Sequence, residues 1–170
     1  MTDKNVSIQH VSDSDLTHSM AHYLLTIHKL KEAKGYARVT DIAKDMGITK
    51  GSVSTALSNL KKRELVVEDE SKFLSLSEIG HNEVHSILTS RTLLFYFFRD
   101  ILKVDENVAH NDSCLMEHLL SAETREQFFG FMKSISTKPD KLKLKTKLNL
   151  TNFKTHDEFI HAQVGDKYLE

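Results

Sequence analysis

The chain has 170 residues, 39% of them hydrophobic and 28% charged, with a formal net charge of −1. This suffices for one or two modest cores but not for a large enzyme fold, and no apolar run approaches the roughly 18 to 20 residues of a membrane span. A single cysteine excludes an internal disulfide framework and an all-cysteine metal cage. Without a basic start followed by an apolar stretch, the expected location is the cytoplasm, with no membrane partner.

One proline and six glycines leave little material for the turns of an all-β fold, so a mainly α protein is expected. Charge is segregated along it. Residues 28–63 carry nine Lys or Arg against three Asp or Glu, locally +6, which leaves −7 for the remainder. A basic face for nucleic acid or an ordinary solvated helix surface would both produce this.

Residues 1–18 are polar and aperiodic and read as a flexible arm. From Ser19, Met20, Tyr23, Leu24, Ile27 and Leu30 form the stripe of an amphipathic helix ending near Lys34 and Gly35, with His22 off the stripe. Val39, Thr40 and Asp41 offer a cap to a short helix that buries Ile42, Ala43 and Met46 and stops at Gly47. Thr49 caps a third helix whose row Val53, Ala56, Leu57, Leu60 turns inward while Ser52, Ser54, Thr55, Ser58 and Asn59 point outward. Two short helices joined through a glycine, the second ending in Lys61, Lys62 and Arg63, have the layout of a helix-turn-helix. Leu65 to Val67 and Phe73 to Leu76 are then two strand-like runs around a polar turn, a β-wing. Residues 19–76 therefore read as a winged helix-turn-helix DNA-binding domain. Its candidate base contacts are Ser52, Ser54 and Thr55, and its candidate phosphate contacts are Thr49, Lys50, Lys61 and Lys62.

Residues 77–136 read as an all-helical second domain. A long helix from Ser77 to about Leu102 is apolar nearly all round at Leu93 to Phe98 and needs cover, partly from a second copy of the chain, and a twofold dimer also suits a palindromic DNA operator. Further helices are expected at about 106–120 and from Ala122 to Ser134. In the appendage 137–170, Lys alternates with mostly apolar residues over 141–148, which suggests either a strand or a disordered basic tail.

Metal-capable side chains concentrate at His110, Asp112, Cys114, Glu117 and His118. On a helix, Cys114, Glu117 and His118 share one face at i, i+3 and i+4, and this mixed donor set suits Fe(II), Zn(II) or Co(II) better than Mg(II) or Ca(II). The alternative is a buried thiol, a solvated carboxylate and a core histidine. His81 and His85 read as surface histidines; His10, His18, His156 and His161 have no decipherable role.

Taken together, the segments Ser19 to Leu24, Gly35 to Ala43, the helix-turn-helix around Ser52 to Ser54, Leu65 to Val67 and Cys114 to His118 resemble the diphtheria toxin repressor family, including its manganese transport regulator branch. The resemblance covers about residues 19–135. It implies a homodimeric, metal-activated, winged-helix repressor of metal-uptake genes that binds a palindromic double-stranded DNA operator and is not an enzyme. It further implies one divalent transition metal per protomer, Fe2+ first and Mn2+ or Zn2+ as alternatives, held by His22, Cys114, Glu117 and His118. In the family's pattern a further metal position uses a histidine where this chain has Arg91 and a glutamate where it has Phe95. His110 remains of that set, so a second metal is not expected. Arg91 is expected to pair with a nearby carboxylate in place of the lost ion. The family's full SH3-like barrel is not expected. The rival readings are a metal-independent winged-helix regulator and, more remotely, a hydrolytic metalloenzyme, for which no catalytic motif appears.

Overall fold

A computed structural model describes residues 16–138 and 145–162. The order is helix α1 (His18–Lys34), α2 (Val39–Met46), α3 (Lys50–Lys62), strand β1 (Val66–Glu68), β2 (Leu74–Leu76), then α4 (Glu78–Tyr96), which continues as a π-helical turn (Phe97–Ile101). Helices α5 (Glu106–Met116), α6 (Ala122–Thr137) and α7 (His156–Ala162) follow.

Local chemistry accounts for the boundaries. The Thr17 side chain accepts from the Met20 amide and so caps α1, and Gly35 ends it in the left-handed conformation at φ 78°, where a side chain would be strained. Helix α2 begins at Val39 without a side-chain cap, earlier than its sequence suggests. The cause lies in the wing: Ala37 is fully buried and its carbonyl accepts from the Leu74 amide, so the chain stays extended to Arg38 and turns helical at once. Thr49 caps α3 through the Ser52 amide, and Val53, Leu57 and Leu60 face inward. Strands β1 and β2 pair antiparallel with Val66 opposite Leu76 and Glu68 opposite Leu74. A Cβ on Gly80 would overlap the carbonyl of Leu65, so that glycine lets the start of α4 lie against the base of the wing.

Two cores result. The first joins α1, α2, α3, the wing and the first half of α4 around Leu24, Ile27, Ile42, Val53, Leu60 and Leu74. Each fully buried Leu or Ile there contributes about 1.5–3 kcal/mol relative to exposure. The second gathers Leu93, Phe129, Met132, Ile135, Leu150 and Phe159. Helix α4 contributes to both and packs against α1, α5, α6 and α7. Its residues Ile87 to Phe95 are buried by the chain's own helices. Apolar surface left for other cover includes the half-buried Tyr96 to Phe98 with exposed Met116 and Phe131 nearby, and exposed Leu102, Val108, Leu115 and Leu119 in the same domain. No described helix is long and apolar enough to cross a membrane.

Of the alternating Lys segment, residues 141–144 lie outside the described residues. The rest forms no strand but docks on the body: the Thr146 hydroxyl and the Lys147 amide donate to Asp100 (3.0 and 2.6 Å), and Leu150 and Phe159 sit in the second core.

Candidate functional site

The polar residues singled out by spacing meet where α1, α4 and α5 come together. His18 and His22 stand one turn apart at the start of α1, and their Nε2 atoms are 3.0 Å from each other, one ring donating to the other. His22 Nε2 lies 3.8 Å from Cys114 Sγ near the end of α5, across 92 residues of sequence. Helix α5 stops at Met116, sooner than its pattern suggests, so Glu117 and His118 occupy the turn after it and diverge. His118, 8% exposed, turns toward α1, with its ring centroid 5.0 Å from that of His18. Glu117 turns toward α4. It is fully buried, and its carboxylate accepts from Arg91 at both oxygens, Nη2 to Oε1 at 2.8 Å and Nε to Oε2. Arg91 Nη2 also lies 3.6 Å from Cys114 Sγ. The carboxylate that Arg91 takes is thus the one that the family resemblance gives to the metal.

Burial, then His18 and Arg91, push His22 below the usual imidazole range, and burial, then His18 and His22, do the same to His118. Both are thereby kept neutral, the form that ligates a metal. Burial pushes the Cys114 thiol up against the pull of Arg91, and burial raises the Glu117 carboxyl against the same guanidinium. His18 Nδ1 and His118 Nδ1 are buried without a hydrogen-bond partner in the protein. Nitrogen and sulfur donors with unsatisfied buried nitrogens fit a divalent transition metal. Among the described residues, no group of three or more His, Cys, Asp and Glu side chains stands in an arrangement that could hold such an ion, so binding requires these side chains to move. His110 is half-buried one turn before Cys114 on α5. His18 escaped sequence reasoning because the apolar stripe starts the helix at Ser19; the Thr17 cap starts it one residue earlier, at His18, and so puts His18 and His22 on one helical face as an i, i+4 pair.

The candidate nucleic-acid face is the outer side of α3. Ser52, Ser54, Thr55, Ser58 and Asn59 are exposed along it, with Lys50 and Lys62 exposed at its ends. Thr49 Oγ1 is 2.9 Å from Ser52 Oγ, and the Thr55 hydroxyl donates to the Gly51 carbonyl. Lys61 is engaged differently from the sequence expectation, since its ammonium rests on Glu68 of the wing, which Lys72 also approaches at 3.2 Å. The two ammoniums hold the Glu68 carboxyl below its usual range. Sequence reasoning missed Arg38, exposed before α2, whose guanidinium stacks 4.4 Å over the Phe73 ring beside the wing.

Residues 15–73 match the family model described as iron dependent repressor, N-terminal DNA binding domain, and residues 77–144 match the metal binding and dimerisation domain of the same family. The HTH-type transcriptional regulator MntR of Listeria welshimeri is 29% identical over 141 residues, covering 83% of this chain and 99% of the relative. MntR of Bacillus velezensis is 36% identical over 105 residues, 62% of this chain and 73% of that protein. Among solved structures, a hypothetical protein from Sulfolobus solfataricus superposes with a TM-score of 0.62 at 21% identity, covering 71% of this chain and 92% of that one. The manganese regulator SloR superposes at 0.58 and 23% identity, covering 66% and 53%. These likenesses extend to both domains, and the chain belongs to the iron-dependent repressor family, the diphtheria toxin repressor relatives, whose members are metal-dependent, DNA-binding transcriptional regulators with a dimerisation domain and not enzymes.

Proposed function

We propose that this protein is a repressor of metal-ion homeostasis genes that acts in the cytoplasm as a homodimer on a palindromic operator. Its metal-responsive element is the junction between His22 of α1 and Cys114 and His118 at the end of α5. A divalent transition metal held there supplies a cross-link between the DNA-binding domain and the second domain. The observation that carries this reading is the 3.8 Å approach of His22 Nε2 to Cys114 Sγ, two donors from different domains.

The chain's own residues do the rest. Leu24, Ile27 and Leu30 of α1 are buried in the core that holds α3, so the orientation of α1 governs where α3 points. Fixing α1 against α5 narrows the range of spacings between the two recognition helices of a dimer toward the about 34 Å between successive major grooves. Shifting such an equilibrium from 1:99 to 99:1 takes about 5.5 kcal/mol of differential binding. Ser52, Ser54 and Thr55 face the bases, and Thr49, Lys50, Lys61 and Lys62 face phosphates, with Lys61 exchanging Glu68 for a phosphate. Small hydroxyls discriminate bases weakly, so DNA shape carries part of the specificity. The imidazole and thiolate donors suit Fe(II), Co(II) or Zn(II), with the relatives named for manganese leaving Mn(II) as an alternative.

The test is operator titration by fluorescence anisotropy, with and without each metal, on the wild type, His22→Ala and His118→Ala. Metal is expected to tighten binding by the wild type by at least about 100-fold, a shift of about 2.7 kcal/mol, and by neither variant to that extent. Equal affinity in all samples would select a regulator in which the Arg91–Glu117 pair has taken the place of the ion.

A further inference from the structure

The junction splits its polar groups into two sets. Glu117 is fully buried, and both its oxygens accept from the permanent cation Arg91. A metal drawing on Glu117 would have to displace the guanidinium from both carboxylate oxygens, break a buried ion pair, and bear the cation's repulsion at close range. On the other side stand the imidazoles of His18, His22 and His118 and the Cys114 thiol, which the edge of the same guanidinium approaches at 3.6 Å without enclosing it as it does the carboxylate. Donors on one tetrahedral zinc lie about 3.3 Å apart for two nitrogens and about 3.6 Å for nitrogen and sulfur, with imidazole centroids about 5 Å apart. His18 and His22 Nε2 are 3.0 Å apart, and His22 Nε2 and Cys114 Sγ are 3.8 Å apart. The ring centroids of His18 are 4.4 Å from those of His22 and 5.0 Å from those of His118. As they stand the four do not form a metal-holding group, so an ion would have to draw the His118 ring and the Cys114 thiol in toward the His18 and His22 pair. The independent sign of a ligand is His118 itself, more than nine-tenths buried with its Nδ1 unpartnered.

We infer that His18, His22, Cys114 and His118 form a three-imidazole, one-thiolate site for Zn(II) or a similarly borderline-soft divalent ion, from which Arg91 withholds Glu117. The inference rests on the metal-responsive reading above and sharpens it. Without a carboxylate donor the site disfavours manganese, which prefers oxygen ligands. His18 becomes a ligand, and Arg91 becomes the residue that sets the donor set.

The test uses the full-length chain stripped of metal under reducing conditions. Co(II) titration of the wild type is expected to give a thiolate-to-cobalt charge-transfer band and the intense visible bands of a tetrahedral centre, with Zn(II) displacing the cobalt and Mn(II) failing to. His18→Ala is expected to lose affinity by more than the roughly 10- to 100-fold typical of an outer-shell partner, and Glu117→Gln by less than about 10-fold. Should Glu117→Gln fold poorly, X-ray absorption at the zinc edge of the wild type reads the shell directly, three imidazole nitrogens and one sulfur being expected. An oxygen donor in place of an imidazole, or unchanged affinity in His18→Ala, overturns the inference while sparing the metal-responsive reading. No uptake of Co(II) or Zn(II) by the wild type overturns both.

Discussion

The α4 side and the α1 side of one junction differ in how their polar groups are satisfied. On the α4 side a buried carboxylate meets a guanidinium at both oxygens, so charge and hydrogen bonding are complete within the protein. On the α1 side two ring nitrogens are buried without partners, a deficit that costs about 1–3 kcal/mol for each group. The contrast separates a part of the fold that stands alone from a part that awaits something. Arginine is always charged, whereas a metal comes and goes, so a carboxylate held by Arg91 at both oxygens belongs to fixed structure.

The largest expected effect breaks the finished side. Arg91→Met leaves Glu117 as an uncompensated buried carboxylate and is expected to lower unfolding free energy by about 3–5 kcal/mol, whereas Arg91→Met with Glu117→Met together recovers most of it. Denaturant unfolding of the single and double variants measures this. A double variant as damaged as the single one would mean that the pair is not the unit of stability.

Much of this architecture was legible because it follows from local rules. The stripes of α1 and α3, the Thr49 cap, the Gly47 stop and the two strands of the wing are where periodicity and capping put them. What was not legible depends on tertiary partners. The pattern at Cys114, Glu117 and His118 fits one helical face, but α5 ends at Met116, and the two last residues part toward Arg91 and His18. His18 looked like part of a polar arm because its helix starts at a threonine cap and not at an apolar residue. The Lys-rich tail carries no signal of the Asp100 carboxylate that receives it.

Asp100 resembles the finished side in miniature and gives the next largest effect. Burial works against its ionised form, but hydrogen bonds from Arg99, the Lys147 amide and Thr146 prevail and hold its carboxyl below the usual aspartate range. A depressed folded value means that its stabilisation is complete above the ordinary aspartate value and is lost as pH falls through the folded one. Asp100→Asn is expected to cost about 1.5–3 kcal/mol at neutral pH, less toward acid pH, and to raise amide exchange at 145–150. A loss independent of pH would contradict this.

The unfinished side is expected to respond in the opposite sense. His118→Leu in metal-free protein removes a buried unsatisfied nitrogen at similar volume, so unfolding stability should stay level or rise by up to about 2 kcal/mol. A loss like that of Arg91→Met would show the imidazole to be structurally satisfied. The smallest effect concerns the nucleic-acid face. Glu68→Gln releases Lys61 from an exposed pair, changing stability by no more than about 0.5 kcal/mol, and should steepen the salt dependence of operator binding by about one phosphate contact.

Hydrogen exchange across the whole chain, with and without a saturating divalent metal, tests the central claim that one ion ties the DNA-binding domain to the second domain. Protection is expected to rise in the same titration at the first turns of α1, around His18 to His22, and at the end of α5, around Cys114 to His118. Protection confined to α5, with α1 exchanging as in the metal-free protein, would contradict it.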